Sequence, residues 1–324
     1  MYTGHETFYG QECREAAKRL FKLNVNHVEL EPHSYCNRHC GYCPNHVGDR
    51  LGPLVSMEES VFSRILANLA EITFDGKLVL SHYCEPLADK GIIHRIRQIH
   101  DQLPHTTIII YTNGDYLTAD YLEDLAHAGV SSLMVSVHPE PDEPYSDTAI
   151  LTAFSKLSVR IKRAAKFTEL SPNKSMAASI DHPYLEIKVF QDDYQKNGSN
   201  RANTAQVEWS SGFAGRTHPC LQPFLYFVVG YHGDVVPCCQ IRADLPANRP
   251  YVIGNIRDYS SIFELYASHS AAAWRRELAC SGAKREPCHS CIMLFPYFGP
   301  EHALSLQQAW QQHAQTPPPG GGPH

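Results

Sequence analysis

The sequence predicts an α/β fold, with a partial (βα)6 TIM-like barrel followed by a small α+β domain. Three observations carry this prediction. Short apolar and β-branched runs alternate with amphipathic helical patterns over the first two thirds of the chain. Polar residues and cysteines directly follow several of these runs, and after about residue 210 glycine-centred hairpin signals replace the alternation. Strands that alternate with helices form parallel βα units, and in βα barrels the chemistry lies at the carboxyl ends of the strands.

Six runs fit the strands of such a barrel, namely 27–30, 77–81, 107–111, 132–137, 184–190 and 206–209. Helical patterns separate them. Ser56 and Glu59 have the spacing of a capping box, which predicts a helix that begins at Ser56. Apolar residues at helical spacing then mark this helix and the two that follow the next strands. They are Val61, Phe62, Ile65, Leu66 and Leu69, then Ile92, Ile93, Ile96 and Ile99, then Tyr121, Leu122 and Leu125.

The carboxyl-terminal third has a different pattern. Residues 224–229 and 235–237 predict a hairpin around Gly230 and Gly233, and a helix follows over 262–278. Residues 316–324 are rich in proline and glycine, which predicts disorder. We therefore expect a helical lead-in at 1–24, a core domain at 25–210, a small domain at 211–295 and a tail at 296–324.

The composition is that of an ordinary globular protein, with 43% hydrophobic and 19% charged residues and a formal net charge of -6. No excess of basic residues indicates a nucleic-acid binder. The first twenty residues mix acidic and basic side chains and contain no apolar segment typical of a secretory signal, and no apolar run reaches the length of a membrane span. We therefore expect a cytoplasmic protein without a nucleic-acid or membrane partner.

The chain contains eleven cysteines, and most of them are clustered along the sequence. In the cytoplasm disulfides are rare, so clustered cysteines indicate metal binding. Cys36, Cys40 and Cys43 form a C-x3-C-x2-C group. Three thiolates on a four-iron cluster leave one iron open, and an open iron can bind a small chelating ligand. A zinc site that pairs Cys40 and Cys43 with a second C-x2-C group is the alternative.

This spacing, with Tyr42 just before the last cysteine, resembles the signature of the radical S-adenosylmethionine superfamily. The resemblance implies a [4Fe-4S] cluster whose open iron binds S-adenosylmethionine. One electron from a flavodoxin or ferredoxin then cleaves this ligand and yields a 5′-deoxyadenosyl radical that abstracts hydrogen from substrate. Further segments are similar to the family and imply cofactor contacts at Glu85, Asn113 and Ser136.

Some of these positions have simpler interpretations. Cys84 replaces a usual glycine of the family before Glu85 and Pro86, where the family contacts the methionine amino group. An acidic residue that follows a strand, such as Glu85, is often a helix cap. Asn113 and Gly114 together are also a common turn sequence.

A second cysteine group comprises Cys220, Cys238, Cys288 and Cys291, with Gly233 between the first two. Four thiolates could hold a complete cubane with no open iron. The pattern resembles the auxiliary-cluster extension called SPASM or twitch, and no cysteine follows Cys291, so the resemblance implies one auxiliary [4Fe-4S] cluster. Either Cys239 or Cys280 could replace a ligand, no role is expected for Cys13, and a zinc knuckle is the structural alternative.

A closed auxiliary cluster can accept an electron, which favours oxidation of the substrate. The family resemblance implies dehydrogenation of a small molecule such as a sugar or cyclitol. The family resemblance also allows an epimerase with Cys84, Cys239 or Cys280 as hydrogen donor. A peptide-modifying maturase and a non-catalytic zinc-binding or cluster-binding regulator are further alternatives. The proton acceptor stays open among five side chains, which are those of Arg201, Asp181, His182, Glu208 and His138.

Overall fold

The computed structural model describes residues 5–140, 143–205, 207–208, 213–293, 308–309 and 311–312. Within these residues, ten α-helices and ten strands have defined bounds, in addition to short 3-10 helices. The helices are α1 His5–Tyr9, α2 Arg14–Asn24, α3 Glu59–Glu71, α4 Ile92–Gln102, α5 Ala119–Ala128, α6 Asp147–Ile161, α7 Tyr194–Asn197, α8 Gln222–Leu225, α9 Ile262–Tyr266 and α10 His269–Ala279. The strands are β1 His27–Leu30, β2 Lys77–Leu80, β3 Thr107–Thr112, β4 Ser132–Ser136, β5 Ala165–Ser171, β6 Ser175–Ile180, β7 Glu186–Asp192, β8 Tyr226–Val229, β9 Asp234–Val236 and β10 Gly254–Asn255.

All ten of these strands belong to one sheet, in the order β10-β9-β8-β1-β2-β3-β4-β7-β6-β5. Its six central strands, from β8 to β7, run parallel to one another. The outer strands pair antiparallel at both edges. Six parallel strands with helices between most of them agree with the predicted partial barrel, and they bring the carboxyl ends of β1, β2, β3 and β4 to one edge.

The sixth parallel strand is β8 and not the predicted run at 206–209. Val207 and Glu208 are not in a strand, and Gln206 and Trp209 lie outside the described residues. The predicted hairpin of β8 and β9 is confirmed, with Val229 opposite Val235. The other edge of β8 pairs in parallel with β1, a nonlocal contact that a hairpin pattern does not reveal.

Strands β5 and β6 were not predicted. β5 is exposed over most of its length and includes Lys166 and Glu169, so it lacks the alternating apolar pattern of a half-buried strand. β6 consists mainly of small residues and pairs with both β5 and β7. This antiparallel pair returns the chain so that β7 can run parallel to β4.

Two helix predictions need correction. α3 begins at Glu59 after Glu58, with no side-chain cap, because the backbone of Ser56 is in a β-bridge with His33. The single helix predicted over 262–278 is two helices. Ser268 separates them, and its hydroxyl caps α10 by accepting a hydrogen bond from the backbone N–H of Ala271.

The largest apolar core lies between the sheet and the helices. It joins side chains of β1 to β4 and α2 to α6 with Ile262 and Phe263 of α9. The core therefore continues across the predicted domain boundary at residue 210, as does the sheet. No helix in the described ranges combines the length and apolar character needed to cross a bilayer. Most of the predicted tail at 296–324, including all of 316–324, lies outside the described residues.

Candidate active site and cluster sites

A cavity of about 420 Å³ lies inside the partial barrel, at the end where the parallel strands have their carboxyl termini. Loops that follow successive strands line it, and they carry most of the side chains singled out from the sequence. These are Cys36, Cys40, Tyr42, Cys43, Cys84, Glu85, Asn113, Ser136, His138, Arg201 and Cys239. The parallel topology explains this convergence, because every carboxyl end in a parallel sheet points to the same side.

The three-cysteine loop, residues 36–52, lies between β1 and α3 and is held by the turn after β3. Asp115 accepts hydrogen bonds from Arg38 Nε at 2.6 Å and from Arg38 Nη2 at 2.8 Å, one on each carboxylate oxygen. Asn37 Nδ2 donates to the same carboxylate at 2.7 Å. This two-pronged contact fixes the backbone between Cys36 and Cys40. Asp115 was not predicted as a site residue, because in the sequence it looks like an ordinary turn residue after Asn113 and Gly114.

The chemistry of the first cysteine group suits an iron–sulfur cluster. Burial raises the pKa of Cys36 to about 12, and the nearby thiols of Cys43 and Cys40 add to this rise. A bound cluster would relieve this mutual repulsion, because cluster irons bind thiolates. Among the described residues no group of three or more His, Cys, Asp or Glu side chains is arranged to hold a metal ion. The support for a cluster is therefore the all-thiol donor set at one cavity wall.

Glu85 is fixed by three hydrogen bonds. Its Oε1 accepts from the Thr112 hydroxyl at 2.6 Å and from the backbone N–H of Leu87, and its Oε2 accepts from the backbone N–H of Asn113 at 2.7 Å. It caps a 3-10 turn at Pro86–Ala88, so the simpler interpretation as a cap describes a real contact. Burial raises the pKa of Glu85 to about 7. The carboxylate also lines the cavity and could accept a ligand ammonium there.

Tyr42 and His138 form a hydrogen-bonded pair over the same cavity. The Tyr42 hydroxyl lies 2.6 Å from His138 Nδ1. Burial, and then the positive charge of Arg38, lower the pKa of His138 to about 3, so the ring is neutral and its Nδ1 can accept from the phenol. Beside them Ser136 Oγ donates to Gln191 Oε1 at 3.1 Å.

Two predicted proton-acceptor candidates lie away from the cavity. Asp181 and His182 follow β6, which runs antiparallel to β7, so they lie near the opposite end of the sheet. His182 Nε2 is 3.4 Å from Glu123 Oε2, and Asp181 pairs with Lys166. Glu208 does not line this cavity but a neighbouring groove. The unrecognised β5–β6 hairpin is the reason that Asp181 and His182 were misplaced.

Glu29 and His82 form a polar pair in the cavity wall that the sequence did not reveal. Glu29 Oε1 lies 3.1 Å from His82 Nδ1, and His82 Nε2 lies 3.1 Å from the carbonyl oxygen of Ile241. Burial alone raises the pKa of Glu29, but the hydrogen bond and charge of His82 lower it below its ordinary value. An acidic residue inside an otherwise apolar strand was the available signal, because such a residue is rarely buried without a polar partner.

Arg201 projects from a strained turn into the cavity. Arg201, Ala202 and Asn203 have φ angles of 46°, 55° and 64°, all in the left-handed region. Successive non-glycine residues seldom adopt this conformation, and such strain is concentrated at functional sites. The guanidinium lies 6.0 Å from the centre of the Tyr83 ring. Its positive charge also faces the thiols of Cys43 and Cys239.

The thiols of the second cysteine group influence one another electrostatically. Burial raises the pKa of Cys238 well above its usual range, and the thiols of Cys239, Cys288, Cys291 and Cys220 contribute to the rise. Cys239 itself lines the barrel cavity, where burial and then the charge of Glu29 raise the pKa of its thiol to about 12, although Arg201 acts to lower it. The thiols of Cys220, Cys288 and Cys291 thus raise the pKa of Cys238, whereas the charges of Glu29 and Arg201 act on Cys239.

The remaining cysteines have local environments. The Cys280 thiol donates to the carbonyl oxygen of Arg276, one turn earlier at the end of α10. The Cys84 thiol donates to the carbonyl oxygen of Ser81 at 3.4 Å and is buried at the cavity wall. Cys13 is exposed before α2.

Comparison with known proteins agrees with this arrangement. The family model of the radical SAM superfamily matches residues 30–147, and that of an iron–sulfur cluster-binding domain, SPASM, matches residues 220–292. A curated relative, the S-adenosyl-L-methionine-dependent 2-deoxy-scyllo-inosamine dehydrogenase of Niallia circulans, is 25% identical over 275 residues. This alignment covers 84% of this chain and 93% of the relative.

Two solved structures share the fold. BtrN in complex with AdoMet and 2-DOIA is 21% identical, with a TM-score of 0.60, and the match covers 83% of this chain and 94% of BtrN. BtrN in an open conformation is 22% identical, with a TM-score of 0.50, over 82% of this chain and 87% of BtrN. The cofactors are [4Fe-4S] clusters and S-adenosylmethionine. The chain is therefore a radical S-adenosylmethionine enzyme with a carboxyl-terminal iron–sulfur cluster-binding domain of the SPASM type.

Proposed function

We propose that this enzyme oxidises a secondary alcohol of a small polyol, such as a sugar or a cyclitol, to a ketone. One observation carries the proposal. Cys43 of the three-cysteine loop and Cys239 line the same cavity, while Cys238, next to Cys239, lies with the auxiliary thiols. A substrate in this cavity would lie between the two cluster sites. This is the arrangement that hydrogen abstraction followed by electron removal requires.

We assign the first cluster to Cys36, Cys40 and Cys43, and the second to Cys220, Cys238, Cys288 and Cys291. When bound, the first cluster with S-adenosylmethionine supplies the hydrogen-abstracting radical, and the second accepts an electron. The contacts of the methionine and nucleoside parts are proposed for Tyr42, Glu85, Asn113 and Ser136, all of which line the cavity. An external flavodoxin or ferredoxin supplies the cleaving electron, and the cytoplasm keeps the thiols reduced.

The proton of the substrate hydroxyl leaves to a cavity side chain, and we propose Glu29 for this role. Of the sequence candidates, Arg201 and His138 line the cavity. Arg201 stays charged, since neighbouring Tyr83 and the thiols raise its pKa despite burial. His138 Nδ1 already faces the Tyr42 hydroxyl. Glu29 Oε1 is paired with His82, so the other carboxylate oxygen can accept the proton while Arg201 orients the alcohol oxygen.

An epimerase is the second candidate, and the position of one thiol favours it. Cys239 lines the same cavity as the three-cysteine loop and could return a hydrogen atom to the substrate radical. Cys84 also lines the cavity. Cys280 is not among the residues that line it, and its thiol donates to the carbonyl oxygen of Arg276 at the end of α10. Epimerisation leaves the substrate at the same oxidation level, so the two functions differ in a measurable product.

The test is an anaerobic assay of the purified protein with a panel of sugars and aminocyclitols. We expect about eight irons per chain, from two cubanes, and one ketone formed per 5′-deoxyadenosine. Substrate deuterated at the reacting carbon should transfer deuterium to 5′-deoxyadenosine. Incorporation of solvent deuterium into substrate without ketone formation would replace the dehydrogenase with the epimerase. A protein with zinc instead of iron, and without cleavage after cluster reconstitution, would contradict both.

A further inference from the structure

Four charged side chains form a buried cluster where the three-cysteine loop meets residues 220–292, which we call the SPASM part of the chain. Glu31 follows β1, and Arg50 lies at the end of the loop. Arg242 and Asp244 follow β9 on the other side. Glu31, Arg50 and Arg242 are each 2% exposed. The charges balance, which is the condition under which ionised groups tolerate burial.

Asp244 binds both arginines of this cluster. Arg242 Nε and Nη2 donate to its two carboxylate oxygens at 2.8 and 3.0 Å. Arg50 Nη2 donates to Asp244 Oδ1 at 2.9 Å, and Arg50 Nη1 donates to Glu31 Oε1 at 2.8 Å. The planar guanidinium of Arg242 therefore has its orientation set by a two-point contact.

The remaining guanidinium nitrogen of Arg242 is directed at the segment that follows Cys43. Arg242 Nη1 lies 3.1 Å from the carbonyl oxygen of Pro44, 3.4 Å from Asn45 Oδ1 and 3.3 Å from the carbonyl oxygen of Gly48. Asn45 in turn lines the cavity and donates to the carbonyl oxygen of Tyr83 at 2.9 Å. One side chain of the SPASM part thus contacts three groups of this loop.

We propose that Arg242, oriented by Asp244, is a positioning residue of the S-adenosylmethionine-binding centre. It fixes the backbone directly after Cys43, and thereby the direction of that thiol and of the Asn45 wall of the cavity. The inference rests on the proposed assignment of Cys36, Cys40 and Cys43 as cluster ligands. It gives the SPASM part a role at the first cluster in addition to holding its own.

Two variants disturb this contact in different ways. Arg242→Met removes the donors and keeps much of the side-chain volume. Gly48→Ala leaves every charge in place, but its Cβ would meet Leu245 Cδ2 at 2.8 Å and Arg242 Nη2 at 2.9 Å. Gly52→Ala is the matched control, because the three heavy atoms nearest to its Cβ would all belong to Asp49 of the same loop. Arg249→Gln removes an ion pair with Asp234 inside the SPASM part.

The measurement is the electron paramagnetic resonance spectrum of the reduced protein, titrated with S-adenosylmethionine, together with iron content and thermal unfolding. For Arg242→Met and Gly48→Ala we expect S-adenosylmethionine to bind at least about tenfold more weakly, because small displacements of a positioned group have large effects. The auxiliary-cluster signal should match that of the controls. The unfolding temperature should fall in Arg242→Met, because Asp244 loses one of its two buried arginines, but in Gly48→Ala it should stay near that of Gly52→Ala. Arg242→Lys keeps the charge without the fork and should fall between wild type and Arg242→Met.

Wild-type titrations in both test variants would overturn the inference and leave the proposed function intact. Loss of both cluster signals in Gly48→Ala but not in Gly52→Ala would also overturn it, since the contact would then support folding in general. A wild-type protein that shows no S-adenosylmethionine-dependent change in its spectrum would contradict the assignment of the first cluster, and the inference with it.

Discussion

Cys238 and Cys239 are adjacent in the chain but belong to different sites. The thiols of Cys220, Cys288 and Cys291 raise the pKa of Cys238, whereas Cys239 lines the barrel cavity, where the charges of Glu29 and Arg201 act on it. The two residues lie at the bend and turn that follow β9, where the chain changes direction. The pair therefore connects the proposed auxiliary cluster to the proposed substrate cavity.

This relationship predicts different outcomes for two serine substitutions. Cys238→Ser should impair auxiliary-cluster assembly, with a loss of up to about four of the eight irons. Cys239→Ser should keep the full iron content and change only turnover or product. Iron and sulfide analysis after anaerobic reconstitution measures both. If Cys239→Ser lost the irons and Cys238→Ser kept them, the two assignments would be exchanged.

The two cluster groups should also separate cleavage from turnover. Cys36→Ala should abolish S-adenosylmethionine cleavage, because two thiols remain at the first site. Cys288→Ala should still form 5′-deoxyadenosine in the presence of dithionite but should make no oxidised product. The assay compares 5′-deoxyadenosine with ketone in the same reaction. Full turnover by Cys288→Ala would rule out the auxiliary cluster as the electron acceptor.

Glu29→Gln tests the proposed proton acceptor. The amide keeps the size of the side chain but cannot take a proton, so the rate of ketone formation should fall by about 10² to 10⁴. Cleavage of S-adenosylmethionine should be affected much less. Glu140→Gln provides a control on an exposed carboxylate that is paired with Lys156. An unchanged rate in Glu29→Gln would assign the proton transfer to another group.

The buried ring of His138 predicts a specific dependence of stability on pH. Its folded-state pKa is about 3, below the ordinary value of 6.5. Between these values the unfolded state binds a proton that the folded state does not, so stability is lost as pH falls below about 6.5. From pH 7 to pH 5 this group should cost about 1–2 kcal/mol.

Urea unfolding of the metal-free protein at pH 7 and pH 5 provides the measurement. In His138→Gln the amide oxygen can still accept from Tyr42, but the titration is removed, so the loss between the two pH values should shrink by that amount. Equal losses in wild type and variant would show that His138 does not titrate below its ordinary range. His269→Gln, at the first residue of α10, serves as the histidine control.

Local sequence patterns were enough to predict four of the parallel strands, because buried parallel strands are mostly apolar runs. These strands are the ones at 27–30, 77–81, 107–111 and 132–137. The glycine-containing hairpin of β8 and β9 was also evident. β5 and β6 could not be read in the same way. β5 is solvent-exposed and carries charges, and it is held in place by its pairing with β6 rather than by an apolar face.

The candidate site shows the same division. Spacing within a few residues identified the cysteine loop, and a turn after a strand identified Glu85 and Asn113, since local geometry sets these positions. Glu29, His82 and Asp115 were missed because their partners are 53, 53 and 77 residues away along the chain. No local pattern records such pairings.

By itself the sequence determined the kind of chemistry: three thiols at one spacing, a second group of four, and polar residues at the ends of strands. Only the tertiary structure decided which of two adjacent thiols faces the cavity, which charged side chains line it, and that Arg242 holds the loop beyond Cys43. The physical reason is the separation along the chain between the residues that interact. Ligand spacing and strand patterns are properties of neighbouring residues, whereas a cavity is formed by side chains that sheet pairing and core packing bring together from distant parts of the chain.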